Sequence, residues 1–180
     1  IIFSSQGSLT DVLFYDDLLH KYNSHWFLRE IKHLWNRTLK RIDLTSRSLV
    51  TLIEPGSCFG GFLSEIIFAS DRSYMAEGIF DDSNNPEAKI ALSKSNFNFF
   101  KMSNGITRLE TRFLNESEKI KALKNQISTE LDSQMALDMG LVTFSFDDID
   151  WEDEVRIFLE ERSSFSPDSM TGLEANLRFA

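Results

Sequence analysis

The sequence is poor in the residues that most often mark a site. Among 180 residues there are one cysteine, three histidines and three prolines. A single cysteine forms no internal disulfide, which points to a reducing, cytoplasmic setting. His20, His25 and His33 include no i,i+4 pair of the kind that holds zinc on a helix, and no cysteine pair accompanies them, so no metal site is expected. No apolar run approaches the ~20 residues that span a bilayer, and no signal peptide is legible, so no membrane partner is expected. Positive charge is scarce too: the formal charge is −9 and the isoelectric point about 4.8. Nucleic-acid binders are usually basic, so that partner is disfavoured, and the acidic excess reads as solubility.

What is present is enough apolar residue for one real core, with 16 phenylalanines. Thr10 or Asp11 is placed to cap a helix running to Tyr22. Residues 24–42 read as a long amphipathic helix, with Phe27, Ile31, Leu34, Trp35, Thr38, Leu39 and Ile42 inward and Arg29, Lys32, Asn36, Arg37 and Lys40 wet. "SLVTLIE", 48–54, is a buried strand that stops at Pro55-Gly56. A helix over 62–70, a strand from Asp71 to Met75, an exposed loop over 77–89 and a strand over 89–92 follow. Residues 94–105 read as irregular. Helices are expected over 106–114, 117–124 and 130–138, the last ended by Gly140. "LVTFSF" reads as a strand, 151–162 as a helix behind an acidic start, and Pro167 as the start of a last helix. Trp26, Trp35 and Trp151 are expected in the core. Alternating strands and helices argue for an α/β fold. The ends, "IIFSSQGS" and "TGLEANLRFA", read as a strand and a helix already under way, as in a piece of a longer chain.

The densest stretch is "EPGSCFGGFLSEIIFASDRSYM", residues 54–75. Strand, glycine turn and helix point backbone N–H groups at a ligand. The Phe62 N–H, behind Gly61, is placed to stabilise an enolate oxygen, and Glu65 to move a proton beside it. The alternative is that Gly60 and Gly61 only let the helix pack closely on the strand. Cys58 reads as a nucleophile or as a small buried thiol, with no His or Asn beside it in sequence. If Glu65 is structural it needs a base, and Arg72 and Arg108 are the candidates. "FDDIDWEDE" lacks the glycine-turned loop of a calcium site and reads as a charged helix start.

These residues resemble the enoyl-CoA hydratase (crotonase) superfamily: strand, "GG", helix with Glu65, then Asp71, followed by "LSKSNFNFFKMSNGITRL" and "STELDSQMALDMGLVTFSFDDID". The resemblance implies a spiral of ββα units, here incomplete at both ends, in a single domain over 1–180 whose C-terminal part from roughly 130 is helical. It implies an acyl-CoA thioester as substrate, no other cofactor and a homo-oligomer. A narrower resemblance, to the benzoyl-CoA-dihydrodiol lyases, covers nearly the whole chain. It is carried by "SRSLVTLIEPGSCFGGFLSEIIFASDRSYM", "NSHWFLREIKHLWNRTLKRID" and "DDIDWEDEVRIFLEERSSFSPDSMTGLEANLRF". Those enzymes hydrolytically open the ring of 2,3-epoxybenzoyl-CoA with release of formate. This chain resembles the second of their two crotonase-like halves. In that frame Glu65 stands at the superfamily's first acid and Lys94 at its second, which a lysine does not replace as a base without a large pKa drop. Phe62 stands where active members have glycine, and "SSQGSLTD" lacks the usual second-donor pattern. The resemblance therefore implies a half that is structural. A stand-alone hydratase or isomerase using Glu65, and a non-catalytic acyl-CoA- or partner-binding module, are the alternatives.

Overall fold

A computed structural model describes residues 1–81 and 83–178; Asp82, in the predicted loop, and residues 179–180, at the end of the last predicted helix, lie outside it. Four parallel strands form the main sheet, in the order β1 (Ile2–Phe3), β2 (Val50–Ile53), β3 (Arg72–Ala76) and β6 (Phe144–Phe146). β4 (Ile90–Ala91) and β5 (Glu130–Leu131) pair antiparallel beside it. Parallel strands are normally covered on both faces. Accordingly β3 is buried from Ser73 to Ala76, and Val50 and Ile53 of β2 are buried with it.

Helices supply the covers. α1 (Leu9–Lys21) and α2 (Trp26–Asp43) pack on each other, and α2 packs on α3 (Glu65–Ala69). The cap of α1 is Ser8, whose hydroxyl accepts the Asp11 N–H at 3.1 Å, so the helix begins before the Thr10 or Asp11 read from sequence. α2 carries a second correction. Leu39 is buried and Trp35 half-buried, but Trp26, Phe27, Ile31 and Leu34 are exposed. One helix face cannot hold every apolar residue that recurs at three and four, and α2 has two apolar stripes where the sequence suggested one.

Small elements follow from local chemistry. α4 (Ser95–Asn98) lies inside the stretch read as irregular. α5 (Arg108–Arg112) starts at a capping box, Thr107 with Glu110, and α6 (Ser117–Lys124) follows. The helix expected over 130–138 is divided into β5 and α7 (Ser133–Asp138), because Asp132 caps α7 at the Met135 N–H. Gly140, at φ +72°, follows α7, and the Leu141 N–H returns to Ala136 O at 2.8 Å, closing the helix.

α8 (Asp148–Ser164) covers β3 and β6, and α9 (Pro167–Arg178) follows. Asp147 caps α8 through the Ile149 and Asp150 N–H groups, so the helix begins at Asp148, three residues ahead of the expected start. The Tyr74 ring lies 5.3 Å from Phe144 and 5.8 Å from Phe158, and the Arg72 guanidinium stacks 4.4 Å over Phe158. Glu174 of α9 is fully buried and accepts from Ser48 at 2.9 Å and Arg162 at 3.2 Å, tying the last helix to the segment before β2. Phe158→Ala is expected to lower stability by roughly 3–5 kcal/mol, since it empties a closed aromatic cluster. The urea midpoint should fall accordingly; a shift below about 1 kcal/mol would mean that α8 is not held there.

Candidate functional site

The glycine turn after β2 is tightly supported. The Ser57 N–H returns to Glu54 O at 2.9 Å, and the Cys58 N–H donates to Ser5 Oγ at 3.1 Å. The Gly7 N–H donates to Gly56 O at 3.1 Å, so the segment leading into α1 lies against this turn. Cys58 is buried, with its sulfur packed against Gly7. From Gly60 the chain passes through a single 3-10 turn, Gly61–Leu63, into α3.

The Phe62 N–H, the expected oxyanion donor, already has an acceptor. It donates to Asp16 Oδ1 of α1 at 3.0 Å. Asp16 is buried, and its β- and γ-carbons press on Gly61: a Cβ built there would lie 2.8 Å from Cγ. Gly61 also sits at φ +49°, so both space and backbone require glycine. Trp35 Nε1–H donates to Phe62 O at 3.1 Å, and its ring meets the Phe62 ring edge-on at 5.9 Å. A carboxylate of the same chain thus takes the hydrogen bond of the expected oxyanion donor.

Glu65 enters a different set of contacts. It is 1% exposed. Oε2 takes Arg108 Nη1 at 2.8 Å and Oε1 takes Asn96 Nδ2 at 2.8 Å. Of the two bases considered from sequence, Arg108 is the partner. Arg108 also grips Asp43 of α2 through Nε at 2.9 Å and Nη2 at 2.6 Å, and its Nη1 reaches Phe100 O. Asn96 further binds Gly61 O and Ser64 Oγ. Burial pushes the Glu65 carboxyl up to about 7, against the pull of Arg108 and Asn96. The ion pair does not prevent the rise, because the same guanidinium is bidentate to Asp43 and the desolvation is nearly complete.

Lys94 is exposed at the start of α4; its carbonyl accepts the Phe97 N–H. Its charge acts on His20, whose imidazole is held below its ordinary value chiefly by burial, with Asp16 opposing and Lys94 adding to the shift. His20 Nε2 lies 3.0 Å from Ser95 Oγ, and the ring stacks on Phe99 at 3.9 Å. Gly61, Phe62 and Glu65 therefore lie together on the turn and α3, Cys58 lies just before them, and Lys94 stands on the surface two residues from Asn96. Asp16, Asp43 and Asn96 are the polar residues that sequence reasoning passed over. Asp16 falls on the buried side of α1 with Leu13, Leu19 and His20, a carboxylate in an apolar stripe, and that was the available signal. Among the described residues no group of three or more His, Cys, Asp or Glu side chains is placed to hold a metal ion.

Comparison with known proteins bears out the resemblance drawn from the sequence. The chain is 46% identical over 177 residues to the benzoyl-CoA-dihydrodiol lyase of Aromatoleum evansii. The match takes in 97% of this chain and spans 31% of that protein's length. No family model matches. Among solved structures, an enoyl-CoA hydratase from Bacillus halodurans superposes with a TM-score of 0.62 at 16% identity, over 96% of this chain and 62% of that one. One from Bacillus anthracis gives 0.59 at 16% identity, over 84% and 54%. Methylmalonyl-CoA decarboxylase gives 0.58 at 18%, over 79% and 52%. At such identities these establish the fold: the chain is an α/β protein with a partial crotonase fold.

Glu65→Gln isolates the buried charge. The unfolded chain ionises Glu65 near its ordinary 4.5, the folded one near about 7. A raised folded pKa contributes stability that is full below pH ~4.5 and lost as pH rises through about 7. The unfolding free energy of Glu65→Gln minus that of the wild type should therefore rise between pH 5 and 7.5, by roughly 1–3 kcal/mol. A difference that stays flat in urea titrations at the two pH values would show that Glu65 is ionised throughout.

Proposed function

From a chain with a partial crotonase fold that matches a segment of a benzoyl-CoA-dihydrodiol lyase, we propose that this protein is a structural segment of an enzyme of that kind. The parent reaction is the hydrolytic ring opening of 2,3-epoxybenzoyl-CoA, which gives an open-chain semialdehyde thioester and formate. The substrate is an aromatic CoA thioester, and the reaction needs no metal or redox cofactor. The 180-residue segment is itself catalytically silent and supports the part of the enzyme that carries the chemistry.

The observation that carries this reading is the Phe62 N–H bonded to Asp16. Oxyanion stabilisation requires donors that are preorganised and free when charge develops on the substrate. Here the donor is held by a buried carboxylate of the same chain. Glu65 adds to it: general acid–base work needs the carboxyl within hydrogen-bond reach of a substrate proton, and this carboxyl is closed in by Arg108 and Asn96. The exposed Lys94 brings no second carboxylate. One feature favours a different reading, a stand-alone hydratase or isomerase. A carboxyl near pKa 7 is suited to proton transfer, and isomerisation proceeds with one acid. Burial at 1% exposure weighs against it.

The purified chain should neither open 2,3-epoxybenzoyl-CoA nor hydrate short enoyl-CoA substrates above the uncatalysed rate. Turnover that disappears in Glu65→Gln would overturn the silent reading in favour of the isomerase-like one. Benzoyl-CoA binding by calorimetry without turnover would point instead to an acyl-CoA-binding module.

A further inference from the structure

Lys32 stands on the inward side of α2. Leu28, Lys32, Trp35, Leu39 and Asp43 recur at helical spacings; Leu39 and Asp43 are buried and the other three half-buried. Spacing alone assigned Lys32 to the wet face, and the structure turns it toward α1 and α4. Its Nζ donates to Asn23 Oδ1, in the link between α1 and α2, and lies 4.1 Å from the centre of the Phe99 ring at the end of α4. The His20 imidazole stacks on that same ring at 3.9 Å. Lys32 is one turn before Trp35, which holds Phe62 O, and His20 is one turn after Asp16, which holds the Phe62 N–H. The amine thus belongs to a junction of α1, α2 and α4 built entirely within this chain.

What this amine lacks is a counter-charge. Among the described residues it enters no ion pair, whereas Lys89, Lys119 and Lys121 each meet a glutamate within 3.1 Å. Its acceptor, Asn23, is a neutral amide. The Phe99 face favours the ammonium, but such a contact is worth only about 0.5–2 kcal/mol. Burial outweighs it and pushes the Lys32 ammonium below its ordinary value. The reactive form of a lysine is the neutral amine with its free lone pair, so a desolvated, unpaired lysine is a nucleophile. Lys32, His20 and Phe99 are all half-buried, which leaves the junction open to solvent at its edge.

We propose that Lys32 is a site of covalent acylation, with acyl thioesters as the donors. The neutral amine adds to the thioester carbonyl carbon, an N–C bond forms and the C–S bond breaks. The thiolate leaves and takes up the proton lost by nitrogen, so the products are an amide on Lys32 and a free thiol. No further reactant is needed. The amide is neutral and keeps one N–H for Asn23 Oδ1, so acylation removes the uncompensated charge without orphaning its acceptor. The inference rests on the proposed function only for the class of donor, a CoA thioester.

Two labels test it, each read by peptide mass spectrometry on the intact chain and on Asn23→Asp, once native circular dichroism is confirmed. Trace acetic anhydride reports amine reactivity without any CoA. Over a pH series Lys32 should reach half of its maximal labelling at lower pH than the exposed Lys101 and Lys121. Benzoyl-CoA should acylate Lys32 several-fold faster than either, in a fast phase that Lys32→Arg abolishes. Asn23→Asp offers Nζ a carboxylate of the same shape, and it should raise the Lys32 midpoint and slow both labels several-fold. Anhydride labelling of Lys32 no faster than that of Lys101 overturns the proposal. So does fast anhydride labelling without benzoylation, and so does an Asn23→Asp chain that labels like the wild type. The anhydride arm involves no CoA, so the two readings fail separately: turnover of CoA substrates bears on the silent segment, and the Lys32 midpoint bears on this site.

Discussion

Arg108 carries a positive charge into the middle of the protein, and much of the surrounding structure is arranged around it. Its guanidinium spans Asp43 at the end of α2 and Glu65 at the start of α3, and it also reaches the Phe100 carbonyl. Four separated stretches of chain therefore meet on one planar group. Removing one member of such a set leaves a buried charge without compensation, which commonly costs about 3–5 kcal/mol. Two carboxylates share one cation, and the surplus negative charge is relieved by the raised Glu65 carboxyl. The glycine turn, the capping box of α5 and the helix pair α2–α3 are positioned by this same set of bonds.

The same set of bonds reaches the glycine turn after β2. Asn96 ties Gly61 O, Ser64 Oγ and Glu65 together, fixing the entry to α3 from inside. Asp16 fixes it from α1. The Phe62 N–H, the Gly61 carbonyl and the Glu65 carboxylate are each bonded by side chains of the same protein. Within the partial crotonase fold, the Phe62 N–H and the Glu65 carboxylate are both bonded inside the chain.

How much of this was legible follows from the range of each interaction. β2, the glycine turn and α8 are visible in the sequence because apolar runs, Pro55-Gly56 and clustered acids act within a few residues. α7 is misjudged because Asp132 serves as a cap inside a helical-looking stretch. The outward side of α2 is misjudged because spacing alone does not say which of two stripes meets the core. Trp26 was expected in the core and is exposed for the same reason. Arg108 could be named as a partner of Glu65 from chemistry. Asp16, Asp43 and Asn96 could not: each is joined to its partner across 31 to 65 residues of sequence, and none is the opposite charge that a buried Glu65 calls for.

The bond between Asp16 and the Phe62 N–H is also a statement about competition. An anionic oxygen tethered on α1 is an intramolecular ligand, present at an effective concentration far above that of any dissolved thioester. A thioester carbonyl is a neutral and weaker acceptor than a carboxylate. It would enter only by moving α1 or by displacing a charge that then needs new solvation. One side chain, on a helix distant in sequence from the glycine turn, therefore sets what any ligand of that N–H would have to displace.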